Sequence, residues 1–401
     1  MKQESIKKPP SEKDEEGLID YACSELMTYG VWDGRMRTKH WIKKYLLKRQ
    51  DAPEDLIFWT TGLLAVGLWQ CREKAKEAQI KKAQAKEAAV PKAGKGSGGK
   101  AVQESAGGGT ADPDRIDSVL EAYFARWMRK GSPVTYMDDL LAGETLLALY
   151  EDCLAADDAH DGGRMQKAEL YREGVEKLAA YALAYPVDEM GSYFYRAAQD
   201  NGYIFVDSIG LVCPFLYRYG VVFGKKEAQA AAVKQIVNFL AYGMDGITGL
   251  PYHGYAIRDG NKYGIIGWGR GVGWLLRGMN GCMTTEYGEG RLRDAYRNLV
   301  DVVLEYQRPD GFFAWQMQAV DGPADTSATG MICVSIKQGI DRGILTESKY
   351  DQALRAGRNA VRKSVSEGRV YHCSGECEGF GRYPQRYGAY PWSLGPALML
   401  L

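Results

Sequence analysis

Apolar residues return every three and four positions along most of this chain, the interval that lines one face of an α-helix. The pattern runs through GLIDYACSELMTYG and EDLIFWTTGLLAVGLWQCR, the second beginning just after Pro53. After residue 113 it resumes in DRIDSVLEAYFARWMRK, MDDLLAGETLLALYEDCLA, KAELYREGVEKLAAYALAY and DSIGLVCPFLYRYG. It continues in KKEAQAAAVKQIVNFLAYGM, GRGVGWLLRGMNGCM, GRLRDAYRNLVDVVLEYQ, TSATGMICVSIKQGI, SKYDQALRAGRNAVRKSV and AYPWSLGPALMLL. Strand-like alternation is confined to short runs such as GFFAWQM (311–317) and GRVYHC (368–373). About twelve helices, alternately more and less apolar, predict helical hairpins closed into a ring. That architecture is an all-α (α/α)6 barrel, a six-hairpin toroid with six inner and six outer helices. An open helical solenoid would carry a fixed residue period, and no such period is present.

Punctuation sets the organisation. Residues 1–15 are charged and predict a disordered N-terminal tail ahead of one catalytic domain, 16–401. A further basic amphipathic segment surrounds Trp41, after a loop with Trp32. The run EKAKEAQIKKAQAKEAA predicts solvated helix or frayed coil. PKAGKGSGGKAVQESAGGGTAD (91–112) has flexible-linker composition. Because similar helices flank it, the stretch from about 80 to 112 predicts an insertion within the helical series. Pro214 predicts a bend in its helix, or the end of that helix's first part.

Composition narrows the partners. Lysine plus arginine equals aspartate plus glutamate, 51 each, so charge gives no reason to expect nucleic acid or an anionic membrane. No apolar run reaches the ~18 residues of a membrane span. The start, MKQESIKKPPSEKDEEG, lacks the apolar core of an export signal, which predicts a cytoplasmic protein with reduced thiols. The eight cysteines are scattered, and Cys373 and Cys377, with His372 beside them, lack the further ligands a metal site needs. The chain has 26 tyrosines and 9 tryptophans against 10 phenylalanines. Rings with a flat apolar face and a polar edge suit wet clefts and sugar stacking, as well as ordinary helix packing.

The candidate chemistry gathers between residues 203 and 278. Asp207 opens an apolar helix, where an aspartate serves either as an N-cap or as a pocket acid. Asp138 and Asp139 open another, again as cap and dipole complement or as a second pocket carboxylate. Two such openings on one rim would face one cavity, and a carboxylate pair in a cleft tends to divide into an acid and a base. His253 lies in what reads as a long irregular loop. Arg270 sits in WGRGVGW between Trp268 and Trp274. Its glycines allow close backbone approach to a ligand, and its guanidinium suits a bidentate carboxylate. A tight turn with arginine stacked on tryptophan reads equally well. No strand and no fingerprint spacing make this a nucleotide loop. Ser327, in DTSATGM, lacks a nucleophile-elbow sequence, and with Thr326 it reads as a helix start.

FWTTGLLAVGLW, MDDLLAG, VDSIGLVCPFL, the His253 loop, WGRGVGW and DTSATGM, in this order, resemble glycoside hydrolase family 105, the unsaturated rhamnogalacturonyl hydrolases. They also resemble its relative family 88, the unsaturated glucuronyl hydrolases. The resemblance covers the chain from about residue 54 onward and implies the same (α/α)6 barrel. It implies Asp207 as general acid/base and Asp138, or its neighbour Asp139, as second carboxylate. His253, Trp268, Arg270 and Trp274 fall where the family binds the unsaturated uronic acid, with Trp59 as an aromatic wall. The chain departs at Val272, where the family commonly has asparagine. It departs again at Tyr195 and Arg196, where histidine and lysine are usual. The implied reaction is hydration of a 4,5 double bond in an oligosaccharide left by a polysaccharide lyase, with no metal or organic cofactor, in a monomer or weak homo-oligomer. The alternatives are a sugar epimerase or isomerase on the same toroid, and a non-catalytic carbohydrate-binding helical scaffold.

Overall fold

A computed structural model describes residues 12–30, 56–88, 111–155, 162–195, 202–283 and 289–401. Most of the expected N-terminal tail, the Trp32–Trp41 region, the glycine-rich linker and Arg196 lie outside the described residues. The described helices are α1 (Glu12–Thr28), α2 (Trp59–Ala88), α3 (Pro113–Arg129), α4 (Gly143–Ala155), α5 (Gly162–Leu183) and α6 (Val206–Val222). They continue as α7 (Lys226–Tyr242), α8 (Gly269–Cys282), α9 (Glu289–Leu304), α10 (Thr326–Asp341), α11 (Ser348–Lys363) and α12 (Pro391–Leu400). A 3-10 turn, Met137–Ala142, leads into α4.

Even-numbered helices form the inner ring: α2 packs on α4, α4 on α6, α6 on α8, α8 on α10 and α10 on α12, and α12 returns to α2. This is the six-hairpin (α/α)6 barrel. The division follows from the side chains. Outer helix α3 buries a single stripe, Ile116, Leu120, Tyr123, Phe124 and Trp127, at three- and four-residue spacing. Its start is fixed by Asp112, whose side chain accepts the Asp114 N–H, and by Pro113 in the first turn. Inner helices α6 and α10 are buried on nearly every side, because each touches both ring neighbours and an outer helix. Full burial of a large apolar side chain is worth about 1.5–3 kcal/mol, so these stripes carry much of the fold's stability.

Glycines set how closely the inner helices approach. A Cβ on Gly67 would lie 2.7 Å from the Gly395 carbonyl, so α2 and α12 close the ring through a glycine pair. The glycines of WGRGVGW do similar work: a Cβ on Gly269 would strike Ala328 of α10, and one on Gly273 would strike Met331. They serve helix packing, not the close backbone approach to a ligand that their density had suggested.

Other details differ from the reading of the sequence. Pro214 lies inside an unbroken α6. α1 already begins at Glu12, inside the stretch expected to be tail. The alanine- and charge-rich extension agrees with the first of its two readings, being helical to Ala88. GFFAWQM forms isolated bridges only, Trp268 with Gln316 and Ala314 with Ala324. GRVYHC contributes to two small hairpins. An unanticipated antiparallel sheet, β1 (Ile204–Phe205), β2 (Tyr252–Ala256) and β3 (Asn261–Ile266), stands at the mouth where the inner helices begin. Two short hairpins follow, β4 (Val365–Ser366) with β5 (Arg369–Val370), and β6 (Cys373–Ser374) with β7 (Tyr387–Gly388). The 375–386 loop that joins β6 to β7 lies over the same mouth. Among the described residues no helix is long and apolar enough to cross a membrane.

Candidate active site

The starts of the inner helices surround one small cavity of about 50 Å³. Its walls hold Trp59, Asp138, Tyr195, Asp207, Trp268, Arg270 and Trp274, with Leu211, Glu376 and Cys377. Residues 215 positions apart, from Trp59 to Trp274, meet there because each stands at or near the opening of an inner helix.

Asp207 is in the first turn of α6, but Phe205 occupies the cap position, so the carboxylate is not closing the helix end. Oδ2 lies 3.2 Å from Nε2 of His253, and the side chain is 14% exposed, facing the cavity. Asp138 is fully buried and accepts the Tyr195 hydroxyl at 2.9 Å on Oδ1. Asp139 does something else. Its Oδ2 accepts the backbone N–H groups of Thr135 (2.8 Å) and Tyr136 (2.9 Å), tying down the turn that presents Asp138, and it does not wall the cavity. The structure therefore brings Asp138, not Asp139, to Asp207.

His253 is on β2 rather than in a loop, at the position where the β2–β3 register shifts between Tyr252 and Gly254. A bulge re-aims the side chain it carries, and here the imidazole lies 1% exposed behind Asp207 instead of in the cavity wall. It is packed among Trp268 (4.5 Å between centroids), Phe205, Phe380 and Tyr383. Its Nδ1 is 2.8 Å from the Tyr383 hydroxyl. Burial pushes the Tyr383 phenol well above its ordinary pKa, so the hydroxyl stays protonated at any physiological pH.

Arg270 begins α8 and lies over the Trp268 and Trp392 rings. It was expected to grip a substrate carboxylate, yet most of its donors already have acceptors. Nη1 donates to Ser374 Oγ (2.6 Å), Ser374 O (3.1 Å) and Ser327 Oγ (3.3 Å), and Nη2 donates to Gly375 O (2.8 Å). Asp325 anchors the far side, accepting from Ser327 and Ser374 while capping α10. The guanidinium is a strut between α8, α10 and β6, and Arg270 is also one of the residues that wall the cavity. Trp59 meets Trp274 edge-on at 6.0 Å and Trp392 at 5.5 Å, which gives the pocket aromatic walls.

Reading the sequence missed the 375–386 loop. Phe380 stacks on Phe205 (4.1 Å) and Tyr263 (5.5 Å), and so holds the loop against the sheet, while Glu376 and Cys377 reach the cavity. Burial, then the Asp207 carboxylate, push the Cys377 thiol up to about 12. No group of three or more histidine, cysteine or acidic side chains arranged to hold a metal ion occurs among the described residues.

The inner-helix openings of this toroid thus bring two acids, Asp138 and Asp207, into one aromatic cavity. The model of Glycosyl Hydrolase Family 88 matches residues 38–401, and the chain belongs to that family. A possible member of the GH105 family from Klebsiella pneumoniae has a similar structure, with a TM-score of 0.74 at 15% identity over 100% of this chain and 97% of that one. The unsaturated glucuronyl hydrolase of Bacillus sp. GL1 superposes with a TM-score of 0.60 at 16% identity, over 97% of this chain and 94% of that one. An unsaturated 3S-rhamnoglycuronyl hydrolase of an Alteromonas species is 28% identical over 111 residues, 26% of this chain. That match spans only 27% of the relative's own length.

Proposed function

We propose that this chain removes a terminal 4,5-unsaturated uronic acid from lyase-generated oligosaccharides by hydrating the vinyl-ether double bond. The observation that carries the reading is the meeting of Asp207 and Asp138 in one aromatic cavity, in a chain of this family. The names of the Alteromonas relative and of the Bacillus neighbour, both hydrolases of unsaturated uronides, support the same substrate class.

The chemistry runs as follows. Asp207, protonated, gives its proton to C4 of the substrate, and positive charge develops across C5 and the ring oxygen. Water adds at C5, and its proton passes to the Asp207 carboxylate, restoring the acid. The resulting C5 hemiketal opens to a ketone, C1 becomes a hemiacetal carbon, and the partner sugar leaves with its oxygen. Asp138, held by Tyr195, orients the ring hydroxyls, while the Trp59, Trp268 and Trp274 rings stack on or wall the sugar. Arg270 or Arg196 is assigned to the substrate carboxylate.

Asp207→Asn keeps the shape of the side chain and removes its proton. General acid help is typically worth ~10²–10⁴-fold, so this variant should lose activity by that factor while its melting temperature holds. Loss of the double bond's ultraviolet absorbance is the assay. A folded Asp207→Asn enzyme with wild-type turnover would overturn the assignment.

A further inference from the structure

The proposed reaction needs the Asp207 proton on the oxygen that faces the substrate, and nothing in a carboxyl group itself tells its two oxygens apart. His253 makes the distinction possible: its Nε2 addresses Oδ2 only, at 3.2 Å. Among the described residues Oδ1 has no protein partner, and the side chain opens on the cavity. What remains is which imidazole nitrogen carries the hydrogen, because a neutral ring has one N–H to share between Asp207 and Tyr383.

Tyr383 decides. Its oxygen already accepts the backbone N–H of Ile265, at 3.3 Å. Its own O–H then has one acceptor within reach among the described residues, Nδ1 of His253 at 2.8 Å. If Nδ1 carried the hydrogen, the phenol oxygen would accept twice and its O–H would be left without an acceptor in a mostly buried site, a costly arrangement. The bond made at one ring nitrogen sets the state of the other.

We infer that Tyr383 is a positioning residue: it donates to His253 Nδ1, fixes the ring as the Nε2–H tautomer, and reserves Oδ2 of Asp207 as an acceptor. The acid hydrogen is thereby placed on Oδ1. When that proton moves to C4, the new carboxylate keeps its Nε2–H bond on Oδ2, and Oδ1 is the oxygen that takes the proton of the attacking water. His253 and Tyr383 transfer no proton in either step. They hold one orientation through both. The ring of Tyr383 is itself wedged between Trp268 (6.3 Å) and Trp315 (6.0 Å), so the hydroxyl is delivered from a fixed position.

The role given to Asp207 Oδ1 rests on the unsaturated-uronide reading, but the tautomer does not, and the two are tested apart. In the full chain labelled with ¹⁵N-histidine, long-range proton–nitrogen spectra should show His253 protonated at Nε2 and bare at Nδ1, with the signal assigned by its loss in His253→Asn. In Tyr383→Phe, which keeps the ring, the His253 signals should shift toward a tautomer mixture. Its kcat on a lyase-generated unsaturated disaccharide should fall about tenfold, roughly the worth of one hydrogen bond, with KM within about twofold. An Nδ1–H tautomer in the wild type overturns the inference, as does a Tyr383→Phe enzyme with unchanged kcat and unchanged histidine spectrum. If Tyr383→Phe does not fold, the wild-type spectrum alone decides. If the wild type leaves every such double bond intact, the proposed reaction falls while the nitrogen spectrum still tests the tautomer.

Discussion

At the mouth where the inner helices begin, the cavity holds about 50 Å³ and its walls carry Asp138 and Asp207. At the mouth where several of them end, a cavity of about 390 Å³ is walled by Arg218, Arg277 and Arg342 among apolar residues such as Leu63, Val66, Met331 and Met399. Volume alone would place the chemistry at the wider end. The partners of each charged group argue otherwise. Arg277 pairs with Glu144 at 2.6 Å and also donates to the Gly210 carbonyl. Arg342 caps α10 and donates to the Asn280 carbonyl of α8, and Arg218 lies 2.5 Å from Glu151. Arg342, at the C-terminus of α10 and against the last turn of α8, answers the negative ends of those helix dipoles and their unpaired carbonyls. At the narrow end, Asp207 is held by a single neighbour among the described residues, His253, and lines the cavity. A site is marked by groups kept incompletely satisfied, and the arginines of the wider cavity are paired with protein partners.

The contrast can be broken at either end. The largest effect should come from Asp138→Asn combined with Asp207→Asn, with kcat down at least as far as the ~10²–10⁴-fold expected of the acid alone. Unsaturated-disaccharide turnover measures this, and circular dichroism should show an unchanged helical fold. Next, Trp59→Ala should raise KM by about tenfold, since an aromatic face on a ligand is worth about 1 kcal/mol or more and its loss also leaves a gap beside Trp274. Saturation kinetics checks it, and an unchanged KM would remove Trp59 from the sugar site. At the other end, Arg277→Met should cost about 2 kcal/mol in chemical denaturation, because Glu144 loses its partner in a largely buried place, with kcat within about twofold. A strong loss of turnover there would show that the wide cavity shares in the chemistry. The smallest effect concerns Cys377. Its thiol pKa, raised to about 12, leaves roughly one thiolate in ten thousand at pH 8. Iodoacetamide at pH 8 should therefore label it far more slowly than an ordinary exposed cysteine, as peptide mass mapping would report.

The helical ring was legible because each helix repeats its apolar interval over several turns, and because an acid or proline marks many of the starts. Asp138 and Asp207 were legible for the same reason: both stand at helix openings, and openings gather at one end of a toroid. The sheet was not, because YHGYA and NKYGII are short and rich in glycine and tyrosine, with no alternation to read. That is why His253 reads as a loop residue in the sequence. Tyr383 and Phe380 left no local signal at all. Their partners lie far off in sequence, His253 being 130 residues from Tyr383, and only the folded ring brings them together. Arg270 was found by its tryptophans, but its serine and carbonyl acceptors come from the ends of other elements, and a single stretch of sequence does not display them.

The pairing of α2 with α12 through Gly67 and Gly395 has a consequence for biosynthesis. Of the twelve described helices, the stave that completes the ring is the last to emerge from the ribosome, and Trp392 within it supplies part of the pocket's aromatic wall. Until Pro391–Leu400 has been made, α2 lacks the helix that its glycine seam packs against.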